Sequence, residues 1–180
     1  STLLQHLNGL LKPDAGRVIV GDVDITAPGV SMVEIRKRIG LVFQYPEYQL
    51  FETTVLKDAA YGPQNQGFSE EEALEKAREA LVRVKLPEKY WEMSPFELSG
   101  GQMQRLMIAR IFLLKPKILL ADEPTSMIDA CSRATILDML LHLRDETGMT
   151  VIFITHDIGL AYYISDAVYI MERGRFVESG

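Results

Sequence analysis

The chain has 180 residues, 47% of them hydrophobic and 24% charged, and its 19 basic and 25 acidic side chains give a formal net charge of −6. This length and hydrophobic share predict one domain with a sizeable core. A net acidic chain has no electrostatic footprint for a phosphate backbone, so nucleic acid is not expected as a partner. Cys131 is the single cysteine, which excludes a disulfide within the chain and favours a reducing cytosol. No apolar run approaches the roughly 20 residues that cross a bilayer, so we expect any membrane link to run through a partner protein.

The first predicted elements alternate between helix and strand. Five leucines between positions 3 and 11 recur at helical spacing, and Pro13 and Gly16 then end the helix. Residues 17–20 and 39–43 are rich in β-branched and apolar side chains and predict two short strands, with a polar loop between them. This alternation is typical of an α/β fold.

Two helices of different character follow. Ser69 and Glu72 form a capping-box pattern, and the apolar residues of 73–84 then share one face, which predicts a charged amphipathic helix. A second helix is predicted from about Gln102 to Leu114. It is apolar on most of its circumference, so we expect it to be largely buried.

The second half of the chain predicts a βαβ unit. Two continuous apolar runs, 118–121 and 151–154, are typical of parallel strands covered on both faces. A helix with apolar residues between 136 and 141 separates them. Residues 167–171 and 175–177 flank a glycine and predict a closing hairpin.

The strongest chemical pattern is Leu98-Ser99-Gly100-Gly101-Gln102, which opens the helix expected to be buried. Paired glycines let backbone N–H groups approach an anion, and the helix dipole favours negative charge there. A phosphate is the ligand that this arrangement suits. A glycine-containing helix cap without any ligand is the structural alternative, because caps of this kind are common.

Ionisable side chains stand at the ends of two predicted strands. Asp122 and Glu123 follow the first apolar run, and His156 follows the second. Ligands of α/β sheets bind at the carboxyl ends of the strands. One carboxylate beside Mg²⁺ and a second aimed at a water is the division of labour that phosphoanhydride hydrolysis requires, while a histidine can bond a terminal phosphate or position the water. A solvated strand end and a structural histidine are the alternatives.

Taken together, these motifs resemble those of ATP-binding cassette (ABC) ATPases. Residues 98–102 resemble the signature motif of that family, and residues 118–123 resemble its Walker B segment. Ser126-Met127-Ile128-Asp129 resembles the D-loop, His156 the switch histidine, and Gln44 the glutamine of the Q-loop. The motifs follow in the family's order, and the resemblance extends over the whole chain.

The resemblance implies an architecture and an assembly. The fold would be a P-loop NTPase core over residues 1–44 and 110–180, with a mostly parallel sheet flanked by helices, and a small helical subdomain over residues 45–109. Two ATPase subunits, identical or different, would form a head-to-tail dimer that sandwiches two ATP molecules. Each ATP would contact the phosphate loop of one subunit and the signature motif of the other.

Residue roles also come from the resemblance. The implied catalytic residues are Glu123 as general base, His156 as a ligand of the γ-phosphate, Gln44, and Asp129, which communicates across the dimer. ATP and Mg²⁺ are the implied ligand and cofactor, with the metal at Ser1, Gln44 and Asp122. The implied nucleotide-binding residues are Ser1, Thr2, Ser99, Gly100, Gly101 and Gln102.

The sequence departs from the family at the phosphate loop. That loop ends in Gly-Lys-Ser-Thr in the family, whereas this sequence opens with Ser1-Thr2 and contains no Gly-Lys pair. We therefore expect the glycines and lysine of the loop, two preceding core strands and the aromatic residue that stacks on adenine to be missing. Losing about three charge-assisted hydrogen bonds, at about 1.5 to 3 kcal/mol each, lowers ATP affinity by at least about a thousandfold. A missing core strand is also expected to expose strand edges and promote self-association.

The two halves of the chain resemble ATPases of different importers. Residues 43–51 and 94–98 resemble those of energy-coupling-factor importers for vitamins and metal ions, whereas residues 122–129 and 155–161 resemble those of oligopeptide importers. A natural mosaic, a reconstructed sequence or an engineered chimera joined near Ser99 would each explain this pattern.

Three functional hypotheses follow. The first is the ATPase subunit of a membrane importer, cytoplasmic and peripheral on the inner face of the membrane, whose residues 44–51 lie near a transmembrane partner subunit. Tyr45, Tyr48 and Phe51 are its candidate contacts, unless they pack within the helical subdomain. The second, a DNA-repair or chromosome-maintenance ATPase, is disfavoured because no coiled coil or metal-spaced cysteines precede the signature motif. The third is a non-catalytic fragment with the same fold.

Overall fold

The computed structural model describes residues 1–126 and 128–180, with Cys131 described by its backbone alone. Within these ranges helices and strands alternate along most of the chain, and three short 3₁₀ helices occur between residues 46 and 97. The elements are α1 (Thr2–Leu7), β1 (Ile19–Val20), β2 (Val23–Asp24), α2 (Met32–Arg36), β3 (Ile39–Val42), α3 (Val55–Asn65), α4 (Glu70–Arg83), α5 (Gly100–Leu114), β4 (Ile118–Asp122), α6 (Ala130–Thr147), β5 (Thr150–Ile154), α7 (Ile158–Ile164), β6 (Tyr169–Glu172) and β7 (Arg175–Ser179).

The central sheet has three parallel strands in the order β3-β4-β5. Val42 pairs with Ala121, and Asp122 pairs with Ile154, so the carboxyl ends of the three strands meet at one edge. Two antiparallel pairs, β1–β2 and β6–β7, lie outside this sheet. The α/β class and the parallel pairing of the two apolar runs are confirmed.

Side chains of the sheet alternate between two hydrophobic clusters, one on each face. Ile39, Leu120 and Ile152 belong to the cluster that includes α1, α2 and the β1–β2 pair. Leu119 and Phe153 belong to a larger cluster built with helices α3 to α6. Because side chains of a strand point alternately to opposite faces, a continuous apolar run buries both sides of the sheet.

Helix α5 packs directly against the sheet. Seven of its residues are buried, which confirms the burial expected from its apolar circumference. A Cβ atom at Gly40 of β3 would lie 2.8 Å from Pro116 Cγ and 3.1 Å from Ile111 Cδ1, so this approach of helix and strand requires glycine. The helix begins at Gly100, two residues before the predicted start, because Ser99 provides its N-cap.

Helices α3 and α4 pack on each other and on α5. Small residues such as Ala59, Ala73 and Ala77 are fully buried at these contacts, which lets the helix axes approach closely. The predicted capping box of α4 is present, since Ser69 Oγ accepts from Glu72 N at 3.3 Å and Glu72 Oε2 accepts from Ser69 N at 2.9 Å. No described helix has both the length and the apolar character required to span a membrane.

Some boundaries differ from the sequence predictions. Helix α1 ends at Leu7 because Gly9, at φ 69°, turns the chain, and Leu10 and Leu11 are left exposed. The predicted helix through position 11 was therefore wrong at its carboxyl end. Helices α2 and α3 were not predicted. Helix α3 contains Pro63, which disfavours helix, but six of its residues are buried against neighbouring elements.

Candidate functional site

Strand β4 ends at Asp122, which is nearly buried at the edge where the parallel strands meet. The backbone nitrogen of Ser1 contacts the Asp122 carboxylate. Ser1 is also the N-cap of α1, because its Oγ accepts from Leu4 N at 3.4 Å. The first turn of α1 therefore lies against the end of β4.

The next residue, Glu123, has a left-handed backbone with φ 44°, which is uncommon for a residue with a side chain. Its N–H donates to Ile154 O of β5 at 2.9 Å, and its carbonyl accepts from Ser126 N at 3.1 Å and from Ser126 Oγ at 3.0 Å. These contacts on both sides hold a conformation that costs about 1 to 3 kcal/mol and that clusters at functional sites.

The Glu123 carboxylate receives two side chains from neighbouring strand ends. His156 Nδ1 lies 3.2 Å from Glu123 Oε2, and Gln44 Nε2 lies 3.5 Å from the same oxygen. Gln44 follows β3, Glu123 follows β4 and His156 follows β5. The His156 side chain is 76% exposed, so the cluster is open to solvent on one side and accessible to a ligand.

The oxygen atoms near this edge suit Mg²⁺. That ion binds through one or two carboxylates and completes its octahedral shell with waters and substrate phosphates. Asp122 supplies a carboxylate and Ser1 a hydroxyl, and Gln44 keeps its Oε1 because it donates through Nε2. In the described part of the chain, no group of three or more His, Cys, Asp or Glu residues could hold a metal by itself. The residues therefore fit a magnesium ion that is bound together with phosphate.

Residues 99–102 form the start of α5. Ser99 Oγ accepts from Gln102 N at 3.4 Å, and Gln102 Oε1 accepts from Ser99 N at 2.8 Å, which forms a capping box. Ser99 and Gly100 are exposed. Among the described contacts, no hydrogen bond or ion pair joins these residues to Glu123. The structure thus brings together Ser1, Gln44, Asp122, Glu123 and His156, and no described bond joins the signature residues to Glu123.

The side chain of Gln102 also affects the 3₁₀ helix Glu88–Tyr90. Hydrogen bonding toward the Gln102 side chain, followed by that toward Lys89, lowers the pKa of the Tyr90 hydroxyl below its usual 10.0. The amide oxygen of Gln102 accepts from Ser99 N.

Two further predicted residues occupy helix starts. Asp129 is the N-cap of α6 and accepts from Ser132 N at 2.9 Å. A Cβ atom at Gly101 would lie 3.2 Å from Ser132 Cβ, so the starts of α5 and α6 are in contact. Thr2 is the first residue of α1, and its carbonyl lies 2.8 Å from His6 Nδ1. Met127, which is part of the D-loop resemblance, lies outside the described residues.

The sequence analysis missed three interacting polar residues, two buried and one partly buried. Asp58 is fully buried on α3, Gln104 is 2% exposed on α5, and Arg110 Nη1 lies 2.7 Å from Asp58 Oδ1. A signal was present in the sequence, because Gln104 and Arg110 interrupt a helix that is otherwise largely apolar. Polar residues on a buried helix are paired with specific partners.

Comparison with known proteins identifies the class. A family model described as "ABC transporter" matches residues 1–126. The chain belongs to the ABC transporter family. Among solved structures, it is similar to cbiO1 from Clostridium perfringens, described as part of the ABC transporter complex cbiONQ, with a TM-score of 0.85 and 34% identity over 99% of this chain and 71% of that one. It is also similar to a dimeric ATP-binding cassette in a post-hydrolysis state with ADP and Pi, with a TM-score of 0.86 and 31% identity over 99% of this chain and 78% of that one.

Two curated relatives that match the whole chain share one name. The chain is 48% identical to the energy-coupling factor transporter ATP-binding protein EcfA2 of Clostridium tetani, over 100% of this chain and 63% of that protein. A relative with the same name in Lactococcus lactis is 47% identical over 100% of this chain and 63% of its own length. The chain therefore spans less than two thirds of the length of the curated relatives that it matches.

Proposed function

We propose that this chain is the ATP-binding and ATP-hydrolysing part of a membrane importer. The observation that carries the proposal is the contact of Gln44 and His156 with one carboxylate oxygen of Glu123, at the edge of the parallel sheet where Asp122 also ends its strand. A base, a histidine and oxygen ligands for a metal are the groups that phosphoryl transfer to water requires. Family membership and the dimeric neighbour support the same reaction.

Each residue of the cluster has a role that its position allows. Bound Mg²⁺ would neutralise charge on the phosphates, and Asp122, Ser1 and Gln44 would hold it. Glu123 accepts a proton from the attacking water, because its carboxylate is only partly exposed and is contacted by His156 and Gln44. His156 and Gln44 orient that water and the terminal phosphate from either side.

The signature residues are proposed to bind a nucleotide other than the one at the Glu123 cluster. Ser99 and Gly100 are exposed at the amino end of a 15-residue helix, where the dipole favours a phosphate, and they make no described contact with the Glu123 cluster. We therefore propose that they bind the nucleotide of a second ATPase subunit in a head-to-tail dimer. In this arrangement residues 45–109 act as the helical subdomain and Asp129 lies close to the subunit boundary.

The importer is proposed to be of the energy-coupling-factor type, because EcfA2 relatives match both halves of the chain. A peptide-type importer stays the second candidate, since residues 122–129 and 155–161 resemble that group. In either case the ATPase would lie on the cytoplasmic face of the membrane, bound to a transmembrane subunit. Tyr48 and Phe51, which are 80% and 53% exposed, are the proposed contacts with that subunit.

Calorimetric titration with MgATP tests the nucleotide site. The 180-residue chain is compared with a version that carries a Gly-Lys phosphate loop ahead of Ser1. We expect micromolar binding and hydrolysis only for the extended version, because the 180 residues contain no Gly-Lys pair. Binding without hydrolysis in the extended version would favour a non-catalytic fold, and equal binding by both would contradict the assigned phosphate contacts.

Capture by the matching membrane subunit tests the partner. The extended version is mixed with the energy-coupling-factor membrane subunit or with a peptide-importer membrane subunit in detergent. We expect capture by the first alone, with loss of binding in the Tyr48→Glu variant. Capture by the peptide-importer subunit alone would reverse the proposed type.

A further inference from the structure

Residues 43–52, which connect β3 to α3, are held by side chains from two helices. We call these residues the Q-loop segment. Arg110 Nη1 of α5 donates to Gln49 O at 2.7 Å. Asp58 Oδ2 of α3 accepts from Phe51 N at 3.0 Å and from Glu52 N at 3.1 Å. The middle and the end of the segment are thus bonded through their backbone, independently of their own side chains.

The two groups that hold the segment are also paired with each other. Arg110 Nη1 lies 2.7 Å from Asp58 Oδ1, and the two side chains are 17% and 0% exposed. A buried ion pair contributes little net stability compared with apolar residues of similar volume, because desolvation offsets the attraction. Here both groups also bond the backbone of the Q-loop segment. The pair therefore specifies the conformation of that segment.

A third side chain holds the beginning of the segment. Gln104 Nε2 of α5 donates to Phe43 O at 3.3 Å, one residue before Gln44. Gln104 is 2% exposed, and within the described residues its Oε1 has no hydrogen-bond partner. A long bond together with an unpaired buried acceptor is a poor arrangement for stability. The contact is better explained by the position that it gives to Phe43 and Gln44.

Both α5 side chains lie on the helix that begins with the signature residues. Gln104 is five residues from Ser99, which is about 7.5 Å along the helix axis. Gln44, the residue after Phe43, contacts Glu123 through its Nε2. Helix α5 therefore begins with the signature residues and also bonds the Q-loop segment, which contains Gln44.

We propose that Asp58, Gln104 and Arg110 are positioning residues that fix Gln44 relative to the signature helix, so that both reach the nucleotide sites together. We call these three residues the α5 clamp. This inference rests on the proposed function. Without the clamp, Gln44 and the signature residues would move independently, and the step that needs both, hydrolysis, would slow more than nucleotide binding.

Hydrogen exchange on the 180-residue chain tests the clamp without any activity. The double variant Asp58→Asn/Arg110→Met removes both charges, which avoids leaving one buried charge unpaired. We expect the amides of Phe51 and Glu52 to exchange about tenfold faster or more, since each loses its bond to a charged acceptor. The matched control is Glu75→Gln/Arg78→Met, which removes an exposed ion pair of α4. Unchanged exchange at Phe51 and Glu52 in the clamp variant would overturn the proposal.

Steady-state kinetics then test positioning with a variant that leaves the charges intact. Gln104→Met is made in the extended version assembled with its membrane subunit. We expect kcat to fall about tenfold or more, as misplacement of catalytic groups does, with KM for MgATP within about twofold of wild type. The thermal midpoint is expected not to fall, because the variant removes an unpaired buried oxygen.

The two experiments separate the two proposals. Wild-type kcat in Gln104→Met, in an assembly that hydrolyses ATP, would overturn the clamp and leave the proposed function standing. A loss of kcat that follows a lower thermal midpoint would also overturn it, since that is the result of a purely structural role. Absence of hydrolysis in the wild-type assembly would refute the proposed function and, with it, the role of the clamp in hydrolysis.

Discussion

The cluster around Glu123 and the start of α5 are built in opposite ways. Gln44 and Glu123 are 79 positions apart, and Ser1 and Asp122 are 121 positions apart, so the cluster exists only when the sheet has assembled. Ser99 and Gln102 bond each other across three positions and need only one helical turn. The comparison shows that one half of the proposed chemistry depends on tertiary structure and the other half is locally formed.

The start of α4 provides a reference for the start of α5, which is formed by local contacts. Ser69 and Glu72 form the same capping box at α4, with the same pair of hydrogen bonds as Ser99 and Gln102. The start of α4 has no paired glycines and no proposed ligand. The two caps share their hydrogen bonds but differ in charge, because the first turn of α4 carries Glu70, Glu71 and Glu72 and that of α5 has no acidic residue. A difference in function between the two starts is therefore expected to come from this charge, the glycines and the surroundings of α5.

The largest effect is expected from a change in the Glu123 cluster, which depends on tertiary structure. In the extended version, Glu123→Gln keeps the size of the side chain but removes the base, so kcat is expected to fall by about 10² to 10⁴. MgATP binding measured by calorimetry is expected to persist. Glu79→Gln, an exposed change on α4, is the control with unchanged kcat. Retention of near wild-type kcat in Glu123→Gln would remove Glu123 from the role of base.

A large stability effect is expected at the buried pair. Asp58→Ala leaves Arg110 and two backbone N–H groups without their acceptor, which is expected to cost about 3 to 5 kcal/mol of unfolding free energy. Urea denaturation measures the loss. The exposed change Glu75→Ala, which breaks an ion pair of the same kind, is expected to cost about 1 kcal/mol or less. Equal losses in the two variants would show that burial does not govern the difference.

A smaller effect is expected when the N-cap serine of α5 or of α4 is removed. Ser99→Ala and Ser69→Ala are each expected to cost about 1 kcal/mol of unfolding free energy, because each leaves a first-turn N–H without its acceptor. Hydrolysis by the dimer of the extended version is expected to fall in Ser99→Ala alone. A parallel fall in Ser69→Ala would indicate that helix stability, rather than contact with the nucleotide, limits the reaction.

The smallest effect is a pH dependence confined to one cap. Hydrogen bonds from the backbone and side chain of Ser69 lower the pKa of Glu72 below its usual 4.5. A lowered folded-state pKa means that the contribution of Glu72 to stability is present above its unfolded pKa and is lost as pH falls through the folded value. Gln102 does not titrate, so the α5 cap is expected to stay constant. Carboxyl NMR titration between pH 2 and about 6 measures the Glu72 pKa, and a value at or above that of an unfolded chain would contradict the contact.

The sequence by itself determined the features that arise from local patterns. Continuous apolar runs identified β4 and β5, because a strand buried on both faces needs apolar side chains at every position. The Ser69 box and the apolar circumference of α5 were sufficient for those two helices, since caps and periodicity act within a few residues. The strand-end positions of Asp122, Glu123 and His156 followed from the same strands.

Only the tertiary structure decided the contacts between distant segments. It gave α3 enough buried contacts to tolerate Pro63. It also brought Gln44 to Glu123 and bonded Asp58, Gln104 and Arg110 to the backbone between β3 and α3. The partners of Gln44, Gln104 and Arg110 lie 61 to 79 positions away, because these contacts form only when separate helices bury their apolar faces against one sheet. Asp58 bonds residues only six and seven positions away, but no local pattern predicted that contact.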